Sequence, residues 1–298
     1  MFTVTMISKP GGLTSSIVDS VRTSWAGGDA VWLAPDEAAE FPVMRVPNST
    51  EDIWRALQDE DVDLCVQRTG HRRRRLLIAD MDSTMIEQEC IDELADMAGV
   101  GAQVSEITAR AMAGEIGFEG ALKERVALLA GLDAGVIAQV LAERITLAPG
   151  ARRLVGTMKL NGAHTILVSG GFTAFAEPVA KMLGIDEVQA NRLDVAGGKL
   201  TGRVVPPILG REAKVQALEA AVRRLAITPG EALAVGDGAN DLGMLERAGA
   251  GVAMHAKPAV QAACKLRVNH GDLTALLYLQ GYAKRDFAHP PDTEDYAV

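Results

Sequence analysis

The chain has 298 residues, of which 48% are hydrophobic and 23% charged, and its formal net charge is −9. That composition supports a buried core and about two domains and excludes a disordered chain. No apolar run is long enough to span a bilayer, and the negative balance argues against general nucleic-acid binding, which depends on neutralising phosphates.

The N-terminus, MFTVTMISKPGG, lacks a basic region followed by a long apolar stretch. A secretory signal is therefore not expected, and a cytoplasmic location is the default. The first 70 residues carry all three tryptophans, Trp25, Trp32 and Trp54. Their pattern predicts a strand over 2–8, a helix over 13–25, strands over 30–34 and 41–46, a helix over 50–58 and a strand over 62–67. Ser49 or Thr50 is a candidate cap for the second helix. The order βαββαβ predicts a small α+β ferredoxin-like domain over 1–70. HisArgArgArgArg at 71–75 is either a nucleic-acid patch or a solvated linker at a domain junction; its place before a buried-looking strand favours the linker. A chain starting near Arg72 is expected to fold without the first domain.

From 76 the texture changes. Short apolar runs at 76–79, 165–168, 232–235 and 251–254 read as parallel strands covered on both faces, with helical patterns between them. Such alternation predicts an α/β architecture, a Rossmann-like parallel sheet with ligands at the carboxyl ends of its strands. More than 80 residues separate the first two runs, too many for one crossover, so a helical cap is expected at about 88–147. In 87–98, Ile91, Leu94, Ala95 and Ala98 keep helical spacing, and Gly99 supplies a stop. GlyGly at 197–198 predicts a hairpin turn. The tail after about 284, rich in proline and acid, is expected to be loose. Three cysteines, Cys65, Cys90 and Cys264, are odd in number and far apart, which fits neither a disulfide framework nor a zinc site.

Four polar sets fall beside these strands. AspMetAspSerThr at 80–84 puts two carboxylates two residues apart at a strand end. One can serve as nucleophile and the other as proton donor, or both can face a metal; acids in turns are also common for structural reasons. SerGlyGly at 169–171 lets backbone N–H groups approach an anion, or is an ordinary tight turn. Lys214, at the start of a helix over 211–225, can reach a phosphate at the sheet edge or lie along the surface. GlyAspGlyAlaAsnAspLeuGly at 236–243 crowds Asp237, Asn240 and Asp241 into one loop, an all-oxygen set that suits Mg²⁺ better than zinc. Each is weak alone; independent turns would not be expected to supply all four.

Together these motifs resemble the haloacid dehalogenase superfamily of phosphohydrolases, over about 71–284. The closer resemblance is to its phosphoserine phosphatase branch, on AspMetAspSerThr (80–84), Glu89, PheGluGlyAlaLeuLysGluArgValAlaLeuLeu (118–129), ValSerGlyGlyPhe (168–172), AlaAsnArgLeu (190–193) and GlyAspGlyAlaAsnAsp (236–241). The resemblance implies Mg²⁺-dependent hydrolysis of O-phosphoserine through an aspartyl-phosphate, as the last step of serine biosynthesis. It implies that Asp80 is the nucleophile and Asp82 the acid and base, and that Asp80, Asp237 and the backbone carbonyl of Asp82 hold the metal, with Asp241 behind them. Ser169, Gly170 and Lys214 would bind phosphate, and Asn240 would hold the loop or substrate. Glu89, Phe118 and Arg125 would meet the amino-acid end. Arg125 is also notable without the resemblance, because it falls on the helical face of Phe118, Leu122, Val126 and Leu129, where a charge needs a partner. The first domain resembles regulatory amino-acid-binding (ACT-like) domains in element order. A phosphotransferase using the same intermediate and an amino-acid sensor remain alternatives, and a homodimer is left open.

Overall fold

The computed structural model of the chain describes residues 1–112 and 114–289. A four-stranded antiparallel sheet is built from β1 (Phe2–Ser8), β2 (Val31–Ala34), β3 (Ala38–Val43) and β4 (Val62–Arg68) in the order β2-β3-β1-β4, with α1 (Ser15–Ser24) and α2 (Thr50–Gln58) as its helices. This is the expected ferredoxin-like arrangement. The third strand begins three residues earlier than the sequence suggests, because Ala38 and Ala39 are small enough to be buried against β1. Ser49 stands at the N-cap of α2 without capping it; its hydroxyl accepts from Trp25 Nε1 instead.

The remaining strands form a seven-stranded sheet. β5 (Leu76–Ala79), entirely buried, lies at its centre between β6 (His164–Phe172) and β9 (Ala232–Gly236), all parallel. β10 (Ala250–Met254) and β11 (Leu266–Val268) extend one side. β7 (Glu187–Ala196) extends the other, and β8 (Lys199–Val205) returns antiparallel to it through Gly197 and Gly198, both at positive φ. β5 is therefore a continuous apolar run with no alternation, as a strand covered on both faces must be. The helices α7 (Ala151–Leu160), α8 (Thr173–Leu183), α9 (Arg211–Arg224), α10 (Leu242–Arg247), α11 (Pro258–Ala263) and α12 (Ala275–Leu279) belong to this layer. Between β5 and α7 stand four more: α3 (Cys90–Met97), α4 (Gly101–Met112), α5 (Phe118–Ala127) and α6 (Val136–Glu143). Ile91, Leu94 and Ala95 of α3 are buried, and Gly99 takes a left-handed φ just past it.

The segment 71–75 is exposed at His71, Arg73 and Arg75, as a solvated linker would be, but it is pinned to both sheets. Arg72 makes a forked pair with Glu40 at 2.7 and 3.0 Å, Arg73 stacks 4.3 Å above the Tyr282 ring, Arg74 donates to the Gly230 carbonyl, and Arg75 pairs with Glu231. The two sheets are also joined elsewhere. Asp63 on β4 is fully buried and accepts three backbone N–H groups, from Asn269, His270 and Gly271, at 2.7–3.0 Å. Tyr278 on α12 donates to Glu37 at 2.7 Å. Nor is the tail loose from its start: Phe287 is buried against Tyr278, with ring centroids 5.1 Å apart. The rest of the expected loose tail, 290–298, lies outside the described residues.

Candidate active site

β9, β5 and β6 are neighbours, so their carboxyl ends open on one point. Each delivers a group there: Asp80 follows β5, Asp237 follows β9, and Ser169 lies near the end of β6. The fourth group comes from α9. Lys214 is buried, and its Nζ lies 2.7 Å from Asp80 Oδ2 and 2.6 Å from Asp241 Oδ1. Burial works against the lysine charge, but the two carboxylates outweigh it and hold its pKa above the ordinary value. Asp80 is fixed from its other oxygen by the Met81 N–H at 2.7 Å.

Carboxylate oxygens of Asp80, Asp237 and Asp241 lie within 4.8 Å of one another. Burial, aggravated by the Asp80 charge, pushes Asp237 up to about 6 and Asp241 up to about 7. Three crowded acids and one lysine leave a surplus of negative charge, and an all-oxygen donor set fits a hard divalent cation such as Mg²⁺. Lys214 and the Gly238 N–H hold the two oxygens of Asp241, and Lys214 and the Met81 N–H those of Asp80, whereas Asp237 accepts the Thr84 hydroxyl on Oδ1. The loop needs glycine at Gly236, where a Cβ would lie 2.4 Å from Asp241 Oδ2. Asn240 is half-buried in the same loop.

Asp82 faces away from the acid cluster. Its Oδ1 accepts the Cys90 N–H at 2.8 Å and its Oδ2 accepts the Ser169 hydroxyl at 3.1 Å. Burial raises its pKa and the Asp80 charge raises it further. The arrangement keeps one carboxylate beside a cation and its neighbour two residues on ready to carry a proton, the division of labour that acid–base chemistry at neutral pH requires. Ser169 in turn accepts the Gly171 N–H at 2.8 Å. Gly171 has no room for a side chain, because a Cβ would stand 2.7 Å from Asp82 Oδ2.

The cap-side residues converge on the same mouth. Glu89 accepts the Ser83 hydroxyl at 2.7 Å; burial and the Asp82 charge push it up to about 7. Arg125 is half-buried on α5, and its Nε donates to the Ala121 carbonyl of its own helix at 3.3 Å. Burial lowers its pKa against the opposing pull of Asp92, Glu89 and Asp82, yet no carboxylate forms an ion pair with it among the described residues. Leu122, Val126 and Leu129 are buried as their stripe predicts, but Phe118 is not part of that core. It is 37% exposed, and its ring stands beside Gly170 and Gly210, where an added Cβ would lie 3.1 and 3.3 Å from it.

Several groups at the site carry no role in the sequence reading. Asn191, fully buried on β7, accepts the Leu209 N–H at 2.7 Å and donates to the Gly170 carbonyl at 2.8 Å. It thus ties the cradle to the loop that leads into α9 and Lys214. Thr84 donates to Asp237 at 3.3 Å, and Ser83, at φ +54°, turns its hydroxyl back onto Glu89. The available signal for Asn191 was an amide within a strand, a place where an unpaired polar group is costly.

The profile of haloacid dehalogenase-like hydrolases matches residues 77–246. A phosphoserine phosphatase of Streptomyces coelicolor is 42% identical over 294 residues, 95% of this chain and 71% of its own length. Three further curated relatives are longer, and the chain spans 62%, 56% and 65% of their lengths. Among solved structures, a HAD family hydrolase from Salmonella enterica serovar Typhi superposes with a TM-score of 0.85 at 27% identity, over 93% of this chain and 97% of its own. A structure described as a phospho-aspartyl intermediate analogue of phosphoserine phosphatase gives 0.65 at 37% identity, over 69% of this chain and 98% of its own.

Proposed function

The chain belongs to the haloacid dehalogenase-like hydrolases, and from that premise we propose that it hydrolyses O-phosphoserine to serine and phosphate, with Asp80 as nucleophile. The observation that carries the reading is the pairing at one sheet edge of Asp80, held by Lys214, with Asp82, a half-buried acid of raised pKa. Asp80 attacks phosphorus in line as the phosphorus–oxygen bond to serine breaks, giving an aspartyl-phosphate. Asp82 gives its proton to the departing seryl oxygen. It then takes a proton from the water that attacks the phosphoryl group and releases phosphate. Ser169, the Gly170 N–H and Lys214 bind the equatorial oxygens, over which the transition state spreads its charge. Asp80, Asp237 and the Asp82 carbonyl would hold Mg²⁺, which would supply screening between two anions that must meet.

Specificity follows from the cap. Arg125 is a partly desolvated cation with no ion-pair partner among the described residues, suited to grip a carboxylate with its fork; Glu89 is suited to an ammonium group. Both belong to an amino-acid phosphate rather than a sugar phosphate. Phe118 closes the mouth over Gly170, and Asn240 steadies the metal loop. The product would serve as the end point of serine biosynthesis. Phosphate release measured across phosphoserine, phosphothreonine, phosphotyrosine and sugar phosphates, with and without Mg²⁺, tests the reading. Phosphoserine should lead by at least tenfold and only with the cation. Equal rates on sugar phosphates, or a covalent phosphate trapped on a residue other than Asp80, overturn it.

A further inference from the structure

The loop that follows β10 is tied to the candidate metal loop by its backbone: the Lys257 N–H donates to the Asp237 carbonyl at 3.3 Å. Two residues earlier, His255 has a φ of +45°, a left-handed conformation that a residue with a Cβ keeps only where its surroundings hold it. The turn after β11 holds it. The His255 N–H donates to the Val268 carbonyl at 2.8 Å, and ring Nε2 lies 2.8 Å from the Gly271 carbonyl, which can only accept, so the ring nitrogen donates. Gln261 of α11 adds a further tie. Its Nε2 donates to the Ala256 carbonyl at 2.7 Å, and its Oε1 accepts from Asn269 Nδ2 at 3.2 Å.

The antiparallel layer holds the 269–271 turn from the other side. Asp63 accepts its three N–H groups, and Asn269 Nδ2 also donates to Gln58 Oε1 of α2 at 2.7 Å. The amides can point only one way. Gln58 Nε2 faces the carbonyls of Trp54 and Val62, and Gln261 Nε2 faces that of Ala256. Each glutamine therefore turns its oxygen to Asn269, which must present its amide N–H groups to both. Gln58, Asn269 and Gln261 are all half-buried, where water competes less for such bonds. A continuous chain of groups thus runs from the first domain through Asn269, Gln261 and the 256–257 backbone to Asp237.

We propose that Gln58 and Asp63 of the first domain, acting through Asn269 and Gln261, are positioning residues for Asp237, and that cutting this relay weakens cation binding at the metal loop. The relay ends on the Asp237 backbone, so it sets where the carboxylate stands and supplies neither ligand nor proton itself. The inference rests on the reading of Asp237 as a metal ligand.

The test uses the full chain, with Gln261→Met and Gln58→Met as single and double variants; methionine keeps the length of the side chain and removes its amide. Arg72→Ala is the comparison, because Arg72 ties the two layers through Glu40 outside the relay. Mg²⁺ affinity is read by calorimetry, and the hold on the backbone by amide hydrogen exchange of the metal-free chain. Gln261→Met should raise the Mg²⁺ Kd roughly three- to tenfold, less than the loss of a group that touches a metal ligand. It should also speed exchange of the amides at 255–257 and 237–241. Gln58→Met tests the relay from its far end and should act in the same sense. The double variant should be no worse than Gln261→Met alone, because both substitutions cut one path. Arg72→Ala should lower Tm and leave the Mg²⁺ Kd at its wild-type value. A wild-type Kd in both single variants, fully additive losses in the double variant, or an equal rise in Kd with Arg72→Ala overturns the relay and leaves the metal site standing. No saturable Mg²⁺ binding by the wild type overturns the reading of Asp237, and the inference with it.

Discussion

Arg125 is held at the mouth of the site by its own helix and, among the described residues, by no counter-charge within ion-pair distance. A half-buried cation in that position is stabilised chiefly by what binds it, so its truncation separates recognition from chemistry. Arg125→Ala should lower kcat/KM for phosphoserine at least tenfold, since losing one partner of such a pair costs on the order of 2–5 kcal/mol. Hydrolysis of p-nitrophenyl phosphate, which lacks a carboxylate, should change far less; parallel losses on both esters would make Arg125 a structural residue. The acids behave as a set. Asp237, Glu89 and Asp241 have folded-state values of about 6, 7 and 7 against ordinary values of 3.8, 4.5 and 3.8. Between about pH 4 and 7 the metal-free folded chain therefore binds more protons than the unfolded one, and its stability falls as pH rises through that window. Paired acids such as Glu51 and Glu187 have lowered values and act in the opposite sense at more acidic pH. Tm of the metal-free chain should be lower at pH 7.5 than at pH 5, and Mg²⁺ should raise it more at pH 7.5. A metal-free Tm that climbs with pH would contradict the crowding of these carboxylates.

The strand ends deliver the chemistry, and they are also what the sequence makes visible. Asp80, Ser169 and Asp237 each follow a short apolar run, and Ser169 and Asp237 sit among glycines that a close backbone approach demands. That signal is local, so it survives reading one chain position after another. Asn191 escapes because its two partners, Gly170 and Leu209, are 21 and 18 residues away and nothing periodic links them. Phe118 is read two ways in the sequence: helical spacing assigns it to the core, the family resemblance to the substrate end, and the tertiary fold turns this first residue of α5 toward Gly170 and Gly210. Asn191→Ala would leave the Leu209 N–H and the Gly170 carbonyl buried without their partner, about 1–3 kcal/mol for each group. We expect Tm to fall by several degrees and kcat to fall more than KM rises, as Lys214 and the cradle lose their common tie. A variant with wild-type kcat would show that α9 holds Lys214 unaided.

At the scale of the molecule, the element order of the first domain is legible while its attachment is not. Composition marks residues 1–70 as distinct, yet long-range contacts such as Asp63 with 269–271 or Tyr278 with Glu37 leave no trace in local pattern. All five residues of α12 are buried, and part of their cover comes from the antiparallel layer. A chain starting at Arg72 should therefore be less soluble and melt well below the full chain, contrary to what composition alone suggests; a soluble fragment with the full-length Tm would restore independence of the two layers. The pinned arginines carry one more consequence. Trypsin cleaves after arginine and needs several residues of pliable backbone in its cleft. Residues 72–75 offer four successive cleavage points, but the Arg74 N–H is bound to Gln280, the Arg75 N–H to Glu231, and the Arg75 carbonyl to His164. Brief digestion of the native chain, read by mass spectrometry, should spare these four bonds, so that the most basic stretch of the sequence is among the last places the protease enters.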